Sequence, residues 1–170
     1  MRIISIVVLV VTASALALTQ VKNMDALQTT RGTRERTKMV KHAKATFEIK
    51  SWDEKPYDEL AGAPKLTRAS VTKSYHGEIE GEGKVEYLMM YRSDGSASVM
   101  GVERVTGSVG GRSGSFVLRH TGTFENGVAS TTLSVLPGSG TGDLRSLSGQ
   151  GKFSVGHQPP YAMTLDYGFE

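Results

Sequence analysis

Cysteine is absent from the 170-residue chain, which excludes a disulfide framework, thiolate zinc sites, iron–sulfur clusters and cysteine nucleophiles together. Also missing, from residue 43 onward, is a sustained 3.6-residue apolar period, so no long amphipathic helix is expected there. Gly138-Ser139-Gly140-Thr141-Gly142 has the composition of a phosphate loop. It lacks the Lys-Ser/Thr ending and the dinucleotide glycine spacing, and reads as turns. The four histidines, at 42, 76, 120 and 157, stand more than thirty residues apart. No local metal-ligand pair exists, and neither a metal nor a cofactor is expected.

A strongly basic folded surface is lacking too, although the pI of about 9.2 suggests one. Residues 1–42 carry seven Lys/Arg against two Asp/Glu, whereas residues 43–170 carry thirteen against fifteen. The excess charge therefore belongs to the arm. Counterion release from nucleic acid needs a basic stripe on the fold, and the run Arg31, Arg34, Arg36, Lys38, Lys41, Lys44 meets no aromatic residue before Phe47. Without a stacking platform it reads as a solvated linker over 21–42, and no nucleic-acid partner is expected.

Residues 1–20 have the parts of a secretory signal: Arg2, an apolar run from Ile3, and small residues at Ala13-Ser14-Ala15 and Ala15-Leu16-Ala17. The run to Leu18 is sixteen residues with three hydroxyls in it, short of the roughly 20 that cross a bilayer. No stable membrane span is expected. The basic residues that follow oppose simple export, since such a bias holds the basic side in the cytoplasm. A further reading starts translation at Met39, because the strand pattern begins only near residue 43. The chain is then cytoplasmic; with a genuine signal it is exported.

From residue 43 onward, short alternating segments rich in Val, Thr, Tyr and Phe recur between glycine-containing turns, the pattern of an all-β sandwich or barrel. Strands are expected at 43–51, 66–76, 78–92, 96–106, 114–125, 128–136, 147–155 and 162–169, making one domain over 43–170 preceded by a mostly unstructured or helical N-terminal arm. Asp53 to Pro64, with two prolines and four acids, reads as a loop over one end. Trp52-Asp53-Glu54 either rims a cavity mouth or packs as a lid. Asp143 is expected to cap a single helical turn before Leu144.

Two hairpins assign faces. In Glu78 to Tyr87 every charge falls on an even position, so Ile79, Val85, Tyr87, Met89 and Tyr91 face the core. A three-residue turn at Ser93-Asp94-Gly95 sets Val85 opposite Glu103 and turns that carboxylate inward; a two-residue turn would oppose Glu103 to Glu86, a costly like-charge pair. Asn126-Gly127, the strongest hairpin signal in the chain, pairs His120 with Leu133 and places His120 on the apolar face with Phe116, Leu118 and Phe124. In the last strand Met163, Leu165, Tyr167 and Phe169 share a face. Leu88, Met90, Met100 and Val102 fall outside, an apolar patch that points to a covered or homo-oligomeric surface.

An inward carboxylate loses solvation and must be paired or functional. Glu103 and His120 are accordingly the candidate catalytic residues, for acid–base work on a ligand held among Tyr87, Met89, Tyr91, Glu103, His120 and Tyr167. The competing reading is a self-satisfied polar network with no ligand.

Several segments together resemble a bacterial family, the domain-of-unknown-function family 3224: Thr46 to Glu54, Gly81-Glu82-Gly83 through Tyr87, Arg92 to Ala97, and Gly138 to Gly142 with Leu147-Ser148-Gly149-Gln150-Gly151. The resemblance covers about residues 43–170 and implies an antiparallel barrel of about eight strands like that of allene oxide cyclase, without implying its reaction. It transfers no catalytic residue. Three functions stay open: a barrel that binds a small, largely apolar molecule inside, a cyclase or isomerase acting by cavity shape with Glu103 or His120, and a filled structural or interaction module. A ligand requires roughly 300 Å³ of connected space reaching Glu103.

Overall fold

A computed structural model describes residues 39–170; the readings made of 1–20, and of the linker up to residue 38, fall outside the described residues. Eight strands follow one another, β1 (Lys41–Asp58), β2 (Lys65–Gly77), β3 (Ile79–Tyr91), β4 (Ala97–Val109), β5 (Arg112–Glu125), β6 (Val128–Val135), β7 (Leu147–Val155) and β8 (Tyr161–Phe169). Each pairs antiparallel with the next, and β8 returns to β1, closing the barrel. No α-helix occurs among the described residues, so no helix there is long and apolar enough to cross a membrane. Alternation does the building: in β3, Ile79, Val85, Tyr87 and Met89 are buried while Glu80, Glu82, Lys84 and Glu86 are exposed.

Both hairpin registers follow from their turns. Gly95 takes φ 83°, Arg92 N–H donates to the Ser96 carbonyl, and Val85 pairs with Glu103. Asn126 and Gly127 both take positive φ, 51° and 77°, the pair of values a two-residue primed turn requires, and His120 pairs with Leu133. Leu88, Met100 and Val102 are exposed on the outside, as the same alternation dictates.

Two expectations need correction. Asp53 to Asp58 belong to β1 rather than to a loop, and Pro56 is paired with Thr67 of β2. Beyond Phe47 the β1–β8 ladder has ended, so among the described residues this stretch pairs on one side only, where a proline lacking its N–H is tolerated. A bulge at Lys50, between Ile49↔Lys73 and Ser51↔Thr72, also reverses the alternation. Trp52 and Glu54 thereby face Val71 and Ala69 across the ladder. At the other connection the single 3₁₀ turn spans Gly142–Leu144 with Thr141, not Asp143, at its N-cap and no side-chain cap bond.

The β6–β7 connection folds across one end of the barrel. Leu136 and Thr141 donate backbone hydrogen bonds to β5, and Leu144 is inserted into the core with Ile79, Val109, Phe116, Leu147 and Tyr167. That end is filled. Complete burial of each large apolar side chain there contributes roughly 1.5–3 kcal/mol. The opposite end carries the short turns at 93–95 and 126–127 together with the overhanging part of β1.

Candidate functional site

The layer between the two ends is polar, and it is assembled from four strands. β2 supplies Lys73 and Tyr75, β3 Tyr87, β4 Glu103 and β5 His120, all buried. Glu103 Oε1 accepts the Tyr75 hydroxyl at 2.7 Å, and Oε2 accepts Lys73 Nζ at 3.1 Å. Lys73 also donates to the Tyr87 oxygen at 2.9 Å. His120 Nε2 lies 2.7 Å from Glu103 Oε2, although its N–H is not aimed along that line, and Nδ1 lies 3.2 Å from the Tyr87 hydroxyl. An unprotonated Nε2 would oppose a lone pair to a carboxylate. The proton therefore sits on Nε2, and Nδ1 accepts from Tyr87.

Room for this layer comes from glycine. A Cβ on Gly83 would overlap Glu103 Oε1, and one on Gly101 would drive into the Tyr87 ring. Charge states follow from the neighbours. Burial opposes ionisation of Glu103, but the Lys73 ammonium, then contacts from His120 and Tyr75, outweigh it and hold the pKa down at about 2. Burial likewise presses on Lys73; the Glu103 charge and Tyr87 overcome it and raise the pKa above the ordinary lysine value. Burial lowers His120, with Glu103 resisting, so the imidazole is neutral. Tyr75 is raised well above its ordinary value by burial and by Glu103, and Tyr87 is raised by burial against the pull of Lys73. The layer is one cation, one anion and three neutral partners.

Above it, in the end with the short turns, lies a cavity of about 260 Å³. Lys73 and Tyr87 form its polar floor, and Phe47, Phe124, Phe153 and Tyr161 contribute rings to its wall. Trp52 stands at the rim, half exposed, stacked on Tyr87 with centroids 6.0 Å apart, its Nε1 donating to Glu54 at 2.9 Å. Of the residues expected around a ligand, Tyr87, Met89 and Tyr91 line this cavity. Glu103 and His120 do not; they lie under Tyr87 and Lys73, so the space stops short of Glu103. Tyr167 is in the filled end, against Phe169. Lys73 and Tyr75 escape the sequence reading altogether. Their signal is the alternation of β2, where Thr67, Ala69, Val71, Lys73 and Tyr75 all fall on the inward positions.

Among the described residues no three His, Asp or Glu side chains are placed to hold a metal ion. The family described as a protein of unknown function, DUF3224, matches residues 43–167. A solved structure of a protein of unknown function from that family, from Shewanella oneidensis MR-1, is 28% identical and superposes with a TM-score of 0.68, covering 78% of this chain and 99% of its own. Comparison with curated proteins finds no match.

Proposed function

The chain belongs to the DUF3224 family, and from that premise we propose that its barrel binds a small, largely apolar molecule in the open end of its interior. What supports the reading is the contrast within one barrel: the interior is packed solid at the plugged end yet leaves about 260 Å³ at the other, walled by aromatic rings over a polar floor. Apolar walls with a few convergent polar groups are the usual composition of a small-molecule site. The volume is smaller than the roughly 300 Å³ set out above and does not reach Glu103, so the reading narrows to a ligand no larger than a single ring or a short chain, held above the polar layer.

Acid–base catalysis by Glu103 or His120 is the weaker reading, because neither side chain borders the cavity. Glu103 is held ionised by three partners, which suits a structural anchor better than a proton donor. Trp52, the sole tryptophan of the chain, reports directly on the site. Butylbenzene is expected to change Trp52 emission in a saturable way, and Ala129→Phe, which fills the cavity from β6, is expected to abolish that change while keeping the melting temperature. Absence of any response with wild-type protein counts against binding.

A further inference from the structure

Lys73 is an unusual residue for the floor of an oily cavity, since its side chain is only 2% exposed. Its ammonium has three N–H donors. Two are used, by Tyr87 and Glu103; the third has no oxygen acceptor among the described residues and finds only ring faces, with Phe47 and Phe153 centroids 5.0 and 5.8 Å from Nζ. A buried donor gains most from an acceptor oxygen within hydrogen-bond reach.

The charge of that acceptor follows from the balance of the layer. Lys73 and Glu103 cancel, and Lys73 is the one charged residue lining the cavity. An anionic head on Lys73 would leave two negative charges sharing one cation in a poorly solvated interior, and a cationic head would face Lys73 directly; both are disfavoured. We propose that the ligand is an uncharged molecule, an apolar body bearing one hydrogen-bond acceptor of the ketone, aldehyde or ester class, with its carbonyl oxygen seated on Lys73 Nζ. The proposal rests on the binding function stated above and assigns the ligand class of the same site. Lys73 provides the head-group contact, the rings provide the contact with the body, and Glu103 sets the neutrality that excludes ions.

Three probes of one shape test it in the full chain at about pH 7, by Trp52 emission and thermal shift: butylbenzene, 4-phenyl-2-butanone and 4-phenylbutyrate. The ketone is expected to bind at least about tenfold more tightly than the carboxylate, a difference of about 1.4 kcal/mol. The double variant Lys73→Met/Glu103→Leu removes both charges together and orphans neither. It is expected to lose ketone affinity about tenfold and to keep butylbenzene affinity. As a second measurement, independent of any variant, the infrared carbonyl stretch of the bound ketone is expected at lower frequency than in hydrocarbon solvent. A carboxylate bound as well as the ketone, a ketone affinity unchanged in the double variant, or an unshifted stretch overturns the ligand class and leaves apolar binding standing. Failure of all three probes to bind overturns the binding function itself.

Discussion

The two ends of this barrel are made by the same eight strands, and they differ in what closes them. At the plugged end the β6–β7 connection lowers Leu144 onto Phe116, Ile79 and Val109, all essentially inaccessible. At the open end the connections at 93–95 and 126–127 are tight turns that cannot reach inward, and Tyr91, Val99, Phe153 and Tyr161 stay partly exposed around a hollow. On the proposed function, stability and recognition fall to separate halves of one interior. Packing is concentrated below the Lys73–Glu103 layer, free volume above it, and the layer itself is the boundary.

The largest effect on that contrast is expected from removing one charge of the boundary. Glu103→Leu leaves Lys73 buried without its anion and should cost about 3–5 kcal/mol in denaturant unfolding. The double variant Lys73→Met/Glu103→Leu should recover at least half of that loss. A double variant no more stable than either single one would mean that the layer is not organised around the pair.

Acid gives the next effect. Glu103 titrates at about 2 in the folded protein against 4.5 ordinarily, so its contribution is complete above about pH 5 and is lost as pH falls toward 2, about 3 kcal/mol in all. His120, lowered by burial, acts in the same direction, because below its ordinary 6.5 the unfolded chain takes up the proton first. Urea midpoints should therefore decline below about pH 6.5 and steepen below about pH 5, and the double variant should lack the steep part.

The smallest effect sharpens the comparison of ends directly. Val105→Ala in the filled end should cost about 2 kcal/mol, from lost burial plus a new void, whereas Val99→Ala, beside a space already empty, should cost under about 1 kcal/mol. Equal losses would show that the open end is packed in solution.

Much of this architecture is legible in the chain because period-2 alternation and turn chemistry are local. The three-residue turn Ser93-Asp94-Gly95 and the two-residue turn Asn126-Gly127 are sufficient to turn Glu103 and His120 inward. What they cannot supply is height along the barrel axis, which depends on strand tilt and stagger. Tyr167 and Tyr87 share an inward face yet stand at opposite ends, so only Tyr87 borders the cavity. Lys73 is readable in principle from the alternation of β2, but no decisive turn marks the face of that strand, and a lysine is ordinarily assigned to solvent. The Lys50 bulge carries no composition signal, so the inward turn of Trp52 emerges only with the ladder itself.

The overhang of β1 has a consequence for how the molecule behaves in a crowd. From Ser51 to Asp58 its backbone pairs with β2 alone among the described residues, an open hydrogen-bonding margin of the kind onto which a foreign strand can graft itself. The kink at Lys50, the exposed Asp53–Lys55 ion pair and the missing amide proton of Pro56 act as gatekeepers on that margin. Such devices are the ones expected to keep a raised lip of this kind from templating a foreign strand.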